Sequence, residues 1–507
     1  MDHINMLNIR IIALFLLAPT IMLTGCASDR IASDEGSSDT NTPTASSISA
    51  TQLMPSVSKS GTTHKPKEQT STPFSDTPSS QTAKSLTTAA VKPHPADEKN
   101  QFHIASFFAF GGSGDRVMYD KVVRQTREAS FTTIEITNID TSDPSLEGPA
   151  PDAVRRVIRT ALDACRNHDM MAIIADPYLG GAAELSRNIE KKHVRQALDA
   201  YSGYKDILLG YLLWDEPLME QFPIIDQRIK WIREYDKDVR LFVNLLPSYN
   251  MHYTWKNGKF DNYLDAFIKT VNPEMLSVDY YVFGHDTDCN PDVLSASQEL
   301  WRDMGYFRKR ALETGKPFEF YIQGVGDFSA SKNIGNMTAE RISFQMYAAL
   351  AYGVKRVSYF TSYGLVLDSR GNKTKMYDSV KAINEEALAV GRFLYDKTPM
   401  NIYHSGVGKL SKVRNNFYLD NLEKSSLLSE VPADCIVSVF KGKDGRKYIM
   451  VANKSYKYPA SGRLVLKKKN KVSRFRAENS SFERISGSST SISITIPAGG
   501  YSILQIG

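Results

Sequence analysis

Histidine and cysteine are scarce in this chain. It holds 9 histidines and 4 cysteines among 507 residues, with no CxxC pair. Clustered thiolate and imidazole ligands are therefore missing, and no metal site is expected. A Gly-x-Gly-x-x-Gly turn is also absent. Gly111-Gly112-Ser113-Gly114 follows an early strand pattern, but its spacing is wrong and no helix opens directly behind it. That argues against an open dinucleotide-binding sheet and leaves no cofactor to expect. The net charge of +6 is small for this length, and no basic stripe interleaves with aromatics, so nucleic acid is not an expected partner. The run Lys467–Lys471 reads as a solvated strand end or turn.

What is present is the composition of a soluble globular protein, 42% hydrophobic and 23% charged. The length exceeds one compact core and suggests about two to four domains. At the N-terminus, Arg10 precedes the apolar run Ile11–Leu23, too short to span a bilayer as a helix but suited to a signal peptide. It ends in Leu23-Thr24-Gly25-Cys26, which resembles a bacterial lipoprotein lipobox. The resemblance implies a signal peptide over residues 1–25, lipid on the sulfur of Cys26, and a place in the bacterial cell envelope. Lipid chains would hold the protein at a membrane surface without a spanning helix. Cys165, Cys289 and Cys435 then remain, far apart and read as structural or incidental. Residues 26–100 are rich in Ser, Thr, Pro and Lys and poor in large apolar residues. Such a segment cannot bury enough apolar surface to offset chain entropy, so it reads as a disordered tether.

From Phe102 onward, β-rich apolar runs alternate with amphipathic helical patterns. Strands are expected at Phe102–Phe110, Phe131–Ile139, Met170–Pro177, Ile207–Trp214, Arg240–Pro247, Met275–Phe283, Phe318–Val325 and Arg356–Tyr363. Eight such units within residues 101–398 predict an α/β fold, a (β/α)8 TIM barrel, closed by a helix over Lys375–Asp396. Past Thr398 the pattern turns to short alternating strands, with Gly442-Lys443-Asp444-Gly445 as a hairpin turn. Residues 399–507 therefore read as a small all-β sandwich.

Barrel enzymes place reacting groups at the C-terminal ends of their strands. In this chain those ends supply Asn138 and Asp140, Asp176, Trp214-Asp215-Glu216, Asn244, Asp279-Tyr280-Tyr281, Gln323 and Asp327, then Tyr359 and Tyr363. Carboxylates suit acid–base work on an acetal, amides can hold sugar hydroxyls, and aromatic faces can stack on sugar rings. The catalytic candidates are Asp215, Glu216 and Asp279. The substrate-binding candidates are Trp214, Asn138, Asp176, Asn244, Tyr281, Gln323 and Tyr363. Plainer roles compete: Asp215 or Asp176 as helix or turn caps, Asp279 as a structural barrel residue, and Trp214 and Tyr363 as packing.

Trp214-Asp215-Glu216-Pro217, at the end of the fourth strand, resembles the barrel glycoside hydrolases whose fourth strand ends in Asn-Glu-Pro. The resemblance implies Glu216 as the acid/base, with Asp215 beside it raising its pKa by like-charge repulsion. That group also carries a nucleophilic Glu at the end of strand seven, where this chain has Gln323. Three routes stay open. An inverting pair would use Glu216 and Asp279 across ~6.5–9.5 Å. Substrate assistance, as in the similar barrel hexosaminidases, would have Asp215 orient an acetamido group with help from Tyr280 or Tyr281. The alternative is a non-catalytic barrel that binds glycan. The expected partners are a carbohydrate substrate and, through the lipid anchor, a membrane; the chain is expected to be a monomer.

Overall fold

A computed structural model describes residues 101–109, 115–137, 151–180, 189–248, 260–283, 298–324, 337–368, 370–405 and 418–507. Cys26, Asn138, Asp140, Cys289, Asp327 and the expected tether lie outside the described residues. Eight strands form the first sheet: β1 (His103–Ala109), β2 (Thr133–Thr137), β3 (Met171–Ile174), β4 (Leu208–Asp215), β5 (Arg240–Asn244), β6 (Leu276–Asp279), β7 (Phe318–Gln323) and β8 (Arg356–Phe360). Among the described residues eight α-helices accompany them: α1 (Arg116–Glu128), α2 (Pro151–Asn167), α3 (Lys191–Ala200), α4 (Phe222–Tyr235), α5 (Phe260–Val271), α6 (Gln298–Thr314), α7 (Ala339–Ala351) and α8 (Tyr377–Tyr395). The sheet is parallel throughout, in the order β5-β4-β3-β2-β1-β8-β7-β6. Its two edges meet where Leu245 bridges Val278 and the Leu245 N–H donates to the Ser277 carbonyl at 3.0 Å. The fold is the expected TIM barrel. Its strands are shorter than the apolar runs that announced them, because the chain leaves the ladder soon after each strand reaches the mouth.

Periodicity explains both layers. On α2 the buried residues Val154, Val157, Ile158, Ala161, Leu162 and Cys165 recur every three or four positions, one stripe facing the sheet. Strands buried on both faces read as continuous apolar runs. One face joins the helices. The other fills the barrel with Phe107, Met171, Ile173, Leu209, Leu212, Phe242, Met275 and Tyr321.

The barrel interior also holds charge. Arg356 donates to Glu135 at 2.6 Å and to Glu319 at 3.0 Å. Ser358 and Tyr321 each donate to Glu135 at 2.6 Å. Arg356 lies over the Phe242 ring, 4.8 Å from its centroid. Burial alone would lower the Arg356 pKa, but Glu319 and Glu135 hold it well above its ordinary value.

The remaining strands, β9 (Thr398–His404), β10 (Leu428–Glu430), β11 (Cys435–Lys441), β12 (Lys447–Asn453), β13 (Ala460–Arg476), β14 (Ser481–Ile496) and β15 (Tyr501–Ile506), form one seven-stranded antiparallel sheet. It is a separate C-terminal all-β layer. The expected C-terminal all-β domain is present, its strands joined along one hydrogen-bonded path because the 17-residue β13 pairs with β10 at Val465 and Leu466 and with β15 at Val472 to Arg474. Between those segments its register with β14 shifts repeatedly, as strands do where they bend. Lys467–Lys471 falls at that irregularity, inside a strand rather than at its end, with all four lysines exposed. Cys165 and Cys435 are buried free thiols.

Barrel and sheet are packed together. Tyr347 of α7 and Tyr501 of β15 both donate to Glu386 of α8, each at 3.0 Å. The end of α8 sits beside the start of β1: a Cβ on Gly391 would lie 2.1 Å from the Phe102 ring, so only glycine fits.

The interior ion cluster yields a test. Arg356→Met should leave Glu135 and Glu319 buried without their cation and cost about 3–5 kcal/mol in urea unfolding. Adding Glu135→Gln to that variant should recover part of the loss. A cost below ~1 kcal/mol would mean that the ion cluster does not hold the barrel.

Candidate active site

Strand β4 is irregular where it matters. Its register with β5 slips between Leu212 and Trp214. Leu212 belongs to the barrel interior, whereas Leu213 and Trp214 both pack into the helix layer. Two consecutive outward residues are the mark of a bulge, which re-aims the side chains that follow. The next residue, Asp215, is thereby turned inward. Gly180 accommodates the bulge: a Cβ there would sit 1.6 Å from the Leu213 carbonyl oxygen.

Beyond the bulge, Asp215 pairs in register with Asn244 of β5. The Asn244 amide donates to Asp215 Oδ1 at 3.1 Å, and Ser277 donates to Asn244 Oδ1 at 3.0 Å. The Glu216 N–H then donates to the Asn244 carbonyl at 2.9 Å, and the chain turns with Glu216 at φ 51°. A non-glycine residue in the left-handed region, directly before a proline, is strained backbone. Such strain persists only where the surroundings over-determine it. Here Tyr263 anchors the turn by donating to the Pro217 carbonyl at 2.6 Å.

Asp279, at the end of β6, completes the group. It is 2% exposed and receives hydrogen bonds from Glu216, Tyr281 and Asn244. Its Oδ1 is buried without a hydrogen-bond partner among the described residues. Tyr281 is half-buried with its ring 5.2 Å from that of Phe360.

Three carboxyls thus meet without a cation among the groups that shift them. Burial, Asp279 and Glu135 push the Asp215 carboxyl up to about 7, against the opposing bond from Asn244. Burial, the charges of Asp279 and Asp215, and its bond to Asp279 push Glu216 well above the usual carboxyl range. Burial raises Asp279 as well, but the bonds it accepts oppose the rise. Such groups titrate together. Glu216 is the donor in its hydrogen bond to Asp279, so the arrangement favours the shared proton on Glu216. Asp215 and Glu216 nonetheless retain some accessible surface at the strand ends.

The structure therefore brings together Asp215, Glu216, Asn244, Asp279 and Tyr281. Asp215 caps no helix: the helical turn after Pro217 is preceded by Leu218, and α4 by Gln221. Other expected site residues lie elsewhere. Trp214 is 2% exposed and faces Arg228 of α4, with the guanidinium 5.6 Å from its ring centroid, so it lines no subsite. Asp176 is fully buried and accepts from Arg155 at 3.0 Å, Tyr201 at 2.8 Å and the Tyr178 N–H at 2.8 Å. It is a turn anchor rather than a sugar ligand. Gln323 is also fully buried, its side-chain oxygen accepting from the Phe283 N–H at 2.8 Å. Tyr359 donates to Asn384 at 2.7 Å in the helix layer. Tyr363 stands half-buried past β8.

Sequence reasoning missed Glu135, Ser277 and Tyr263. Glu135 had a readable signal, an acid between two isoleucines in a strand whose every residue is buried. Ser277 and Tyr263 had none, since each acts through a partner far along the chain. Among the described residues, no group of three or more His, Cys, Asp or Glu is arranged to hold a metal ion.

The raised Asp215 pKa has a consequence for stability. A carboxyl whose pKa rises on folding binds more protons folded than unfolded, between its two pKa values. Stability therefore falls as pH climbs from about 4 towards 7. Asp215→Asn keeps the acceptor for Asn244 and removes the charge. It should match the parent near pH 4 and gain up to about 4 kcal/mol at pH 8, read from urea unfolding at both pH values. An unchanged difference between the two would show that Asp215 titrates normally.

No protein-family profile and no curated protein matches this chain. Solved structures do resemble it. A candidate alpha-galactosidase from Bacteroides fragilis aligns at 10% identity over 80% of this chain and 79% of its own, with a TM-score of 0.46. An endo-beta-1,4-mannanase from Thermotoga petrophila aligns at 11% identity over 81% and 92%, with a TM-score of 0.41. The gamma-CGTase of Alkalophilic bacillus clarkii aligns at 12% identity over 80% and 70%, with a TM-score of 0.43. These neighbours are glycoside-active proteins, but at such scores the likeness carries nothing about activity in this chain.

Proposed function

We propose that this protein is a glycoside hydrolase of the bacterial envelope in which Glu216 protonates the leaving glycosidic oxygen. The observation that carries the reading is the group of Glu216, Asp279 and Asp215 at the strand ends. It favours the protonated form of Glu216, on a turn strained to present it. A general acid works best when its pKa lies near or above the working pH.

The contact between Glu216 and Asp279 favours one route over another. An inverting pair leaves room for a water across ~6.5–9.5 Å, and a hydrogen-bonded pair does not. The unpartnered Oδ1 of Asp279 calls instead for a donor from the substrate. The N–H of a 2-acetamido group fits that demand. Asp279, steadied by Tyr281 and Asn244, would orient the acetamido oxygen for attack at the anomeric carbon. The carbon–oxygen bond to the leaving group would break as Glu216 gives up its proton, and water would later open the cyclic intermediate. The route needs no strand-seven carboxylate, which agrees with a buried Gln323 at that place.

Glu216→Gln should lower turnover by about 10²–10⁴-fold on a substrate with a poor leaving group, and by less on an aryl glycoside. Asp279→Asn should be severe on a 2-acetamido sugar, and the parent should not turn over the 2-hydroxy analogue, which offers no internal nucleophile. Comparable turnover of both sugars by the parent would remove the substrate-assisted route. A parent that binds a glycan yet cleaves none across a broad screen would instead establish the non-catalytic binding protein.

The envelope location rests on Leu23-Thr24-Gly25-Cys26. Cys26→Ser should shift the protein from the membrane fraction to the soluble fraction, or stall its processing. Unaltered fractionation and mobility would count against the anchor.

A further inference from the structure

The modest net charge of the whole chain conceals a strong asymmetry. Residues 398–507 carry eighteen lysines and arginines against seven acids, a net of +11, which leaves −5 for the preceding 397. Much of this charge gathers at one end of the C-terminal sheet. The register runs from Thr398 to Lys441, from Lys441 to Lys447, from Lys447 to Ile506, and from Ile506 to Val472. One row across five strands therefore brings Lys441, Lys443, Arg446 and Lys447 of the β11–β12 hairpin to the same end as Lys471. All five are exposed. The chain carries the run Lys467–Lys469 into that end just before Lys471. Of the nearby acids, Asp444 lies 3.5 Å from Arg446 and Asp396 lies 3.0 Å from Lys397, so each is matched by a cation.

The location of this end is fixed by contacts. Lys355, just before β8, donates to the carbonyls of Leu394 at 3.0 Å and Lys397 at 3.1 Å. Gly391 lies against Phe102 at the start of β1. The start of β9, and the basic row with it, therefore stands at the pole where the barrel strands begin. Asp215, Glu216 and Asp279 occupy the opposite pole.

We propose that this basic end is a docking surface for the anionic phospholipid headgroups of the membrane that the Cys26 anchor would occupy. The idea rests on the anchored reading for its choice of partner, but the surface acts without the lipid. Basic side chains held near an anionic leaflet each add to the attraction, and clusters of four to eight suffice to bind it. The exposed lysines are spread along one row of several strands, which suits a charged layer better than a single polymer chain. With the basic end at one pole, docking turns the carboxyl group at the other pole away from the bilayer. The barrel then stands on the membrane with its mouth outward.

The test uses the full chain carrying Cys26→Ser, so that lipid plays no part. Its sedimentation with phosphatidylglycerol/phosphatidylcholine vesicles is compared with pure phosphatidylcholine vesicles. The apolar N-terminal segment contributes to both. Binding to the anionic vesicles should be at least ~10-fold tighter, and the excess should vanish near 0.5 M salt. Adding Lys441→Glu, Lys443→Glu, Lys447→Glu and Lys471→Glu should abolish the excess with an unchanged melting temperature. Lys192→Glu, Lys230→Glu, Lys373→Glu and Lys375→Glu, an equal charge change on the barrel, should leave it in place. Equal binding to both vesicle types overturns the proposal, as does equal loss in the two variants. Binding to soluble dextran sulfate but not to anionic vesicles also overturns it, in favour of an anionic polymer. Incorporation of labelled fatty acid into the parent and its loss in Cys26→Ser report on the anchor alone, so a failure of either idea is distinguishable from a failure of the other.

Discussion

Glu135, Glu319, Asp215, Glu216 and Asp279 share the interior and mouth of one barrel, and the guanidinium of Arg356 pairs with only two of them. Glu135 and Glu319 take Arg356 between them, and Asp215, Glu216 and Asp279 are left to one another. Charge cannot be buried uncompensated, so the second group must keep a proton. That constraint organises the rest. It explains why Asn244 and Tyr281 are aimed at carboxylates and why Glu216 is shared with Asp279. It also divides the barrel: paired charge lies deeper inside, and the three acids without a cation sit at the strand ends.

Geometry delivers the acids to that place through three local departures from ideal strand structure. The bulge at Leu213 and Trp214 turns Asp215 inward, Gly180 makes room for the bulge, and the left-handed turn at Glu216 swings the next carboxyl after it. Each is unfavourable alone. Together with the bond from Tyr263 to Pro217 they form one rigid presentation of two consecutive acids, which an unbroken strand would have sent to opposite faces.

How much of this was legible follows from where each signal resides. Eight alternating units announced the barrel because periodicity is local. The abrupt end of an apolar run in Asp215-Glu216-Pro217 marked a strand end for the same reason. The orientation of Trp214 was not readable, since simple alternation from Leu212 puts it inside and only the pairing with β5 moves it out. Asp176 and Gln323 stood at equally promising strand ends. Their partners Arg155, Tyr201 and Phe283 are brought up by other elements, so spacing could not show that they were sealed. The β-layer was visible as alternating strands, but its sheet path depended on how far β13 runs. Nothing in the lysine run itself reveals that length.

One seam remains in the barrel. Seven of the eight strand pairings are ladders, while β5 and β6 meet through one bridge among the described residues. That bridge lies between Asn244 and Asp279, within the candidate site. Local opening follows the least-bonded path, so the backbone amides around Leu245 should exchange with solvent faster than those of the other barrel strands. A molecule bound across Asp215 and Asp279 would span that seam like a clasp. Occupancy would then be felt as slowed exchange in two strands that barely hold each other, and as a higher unfolding temperature for the whole barrel.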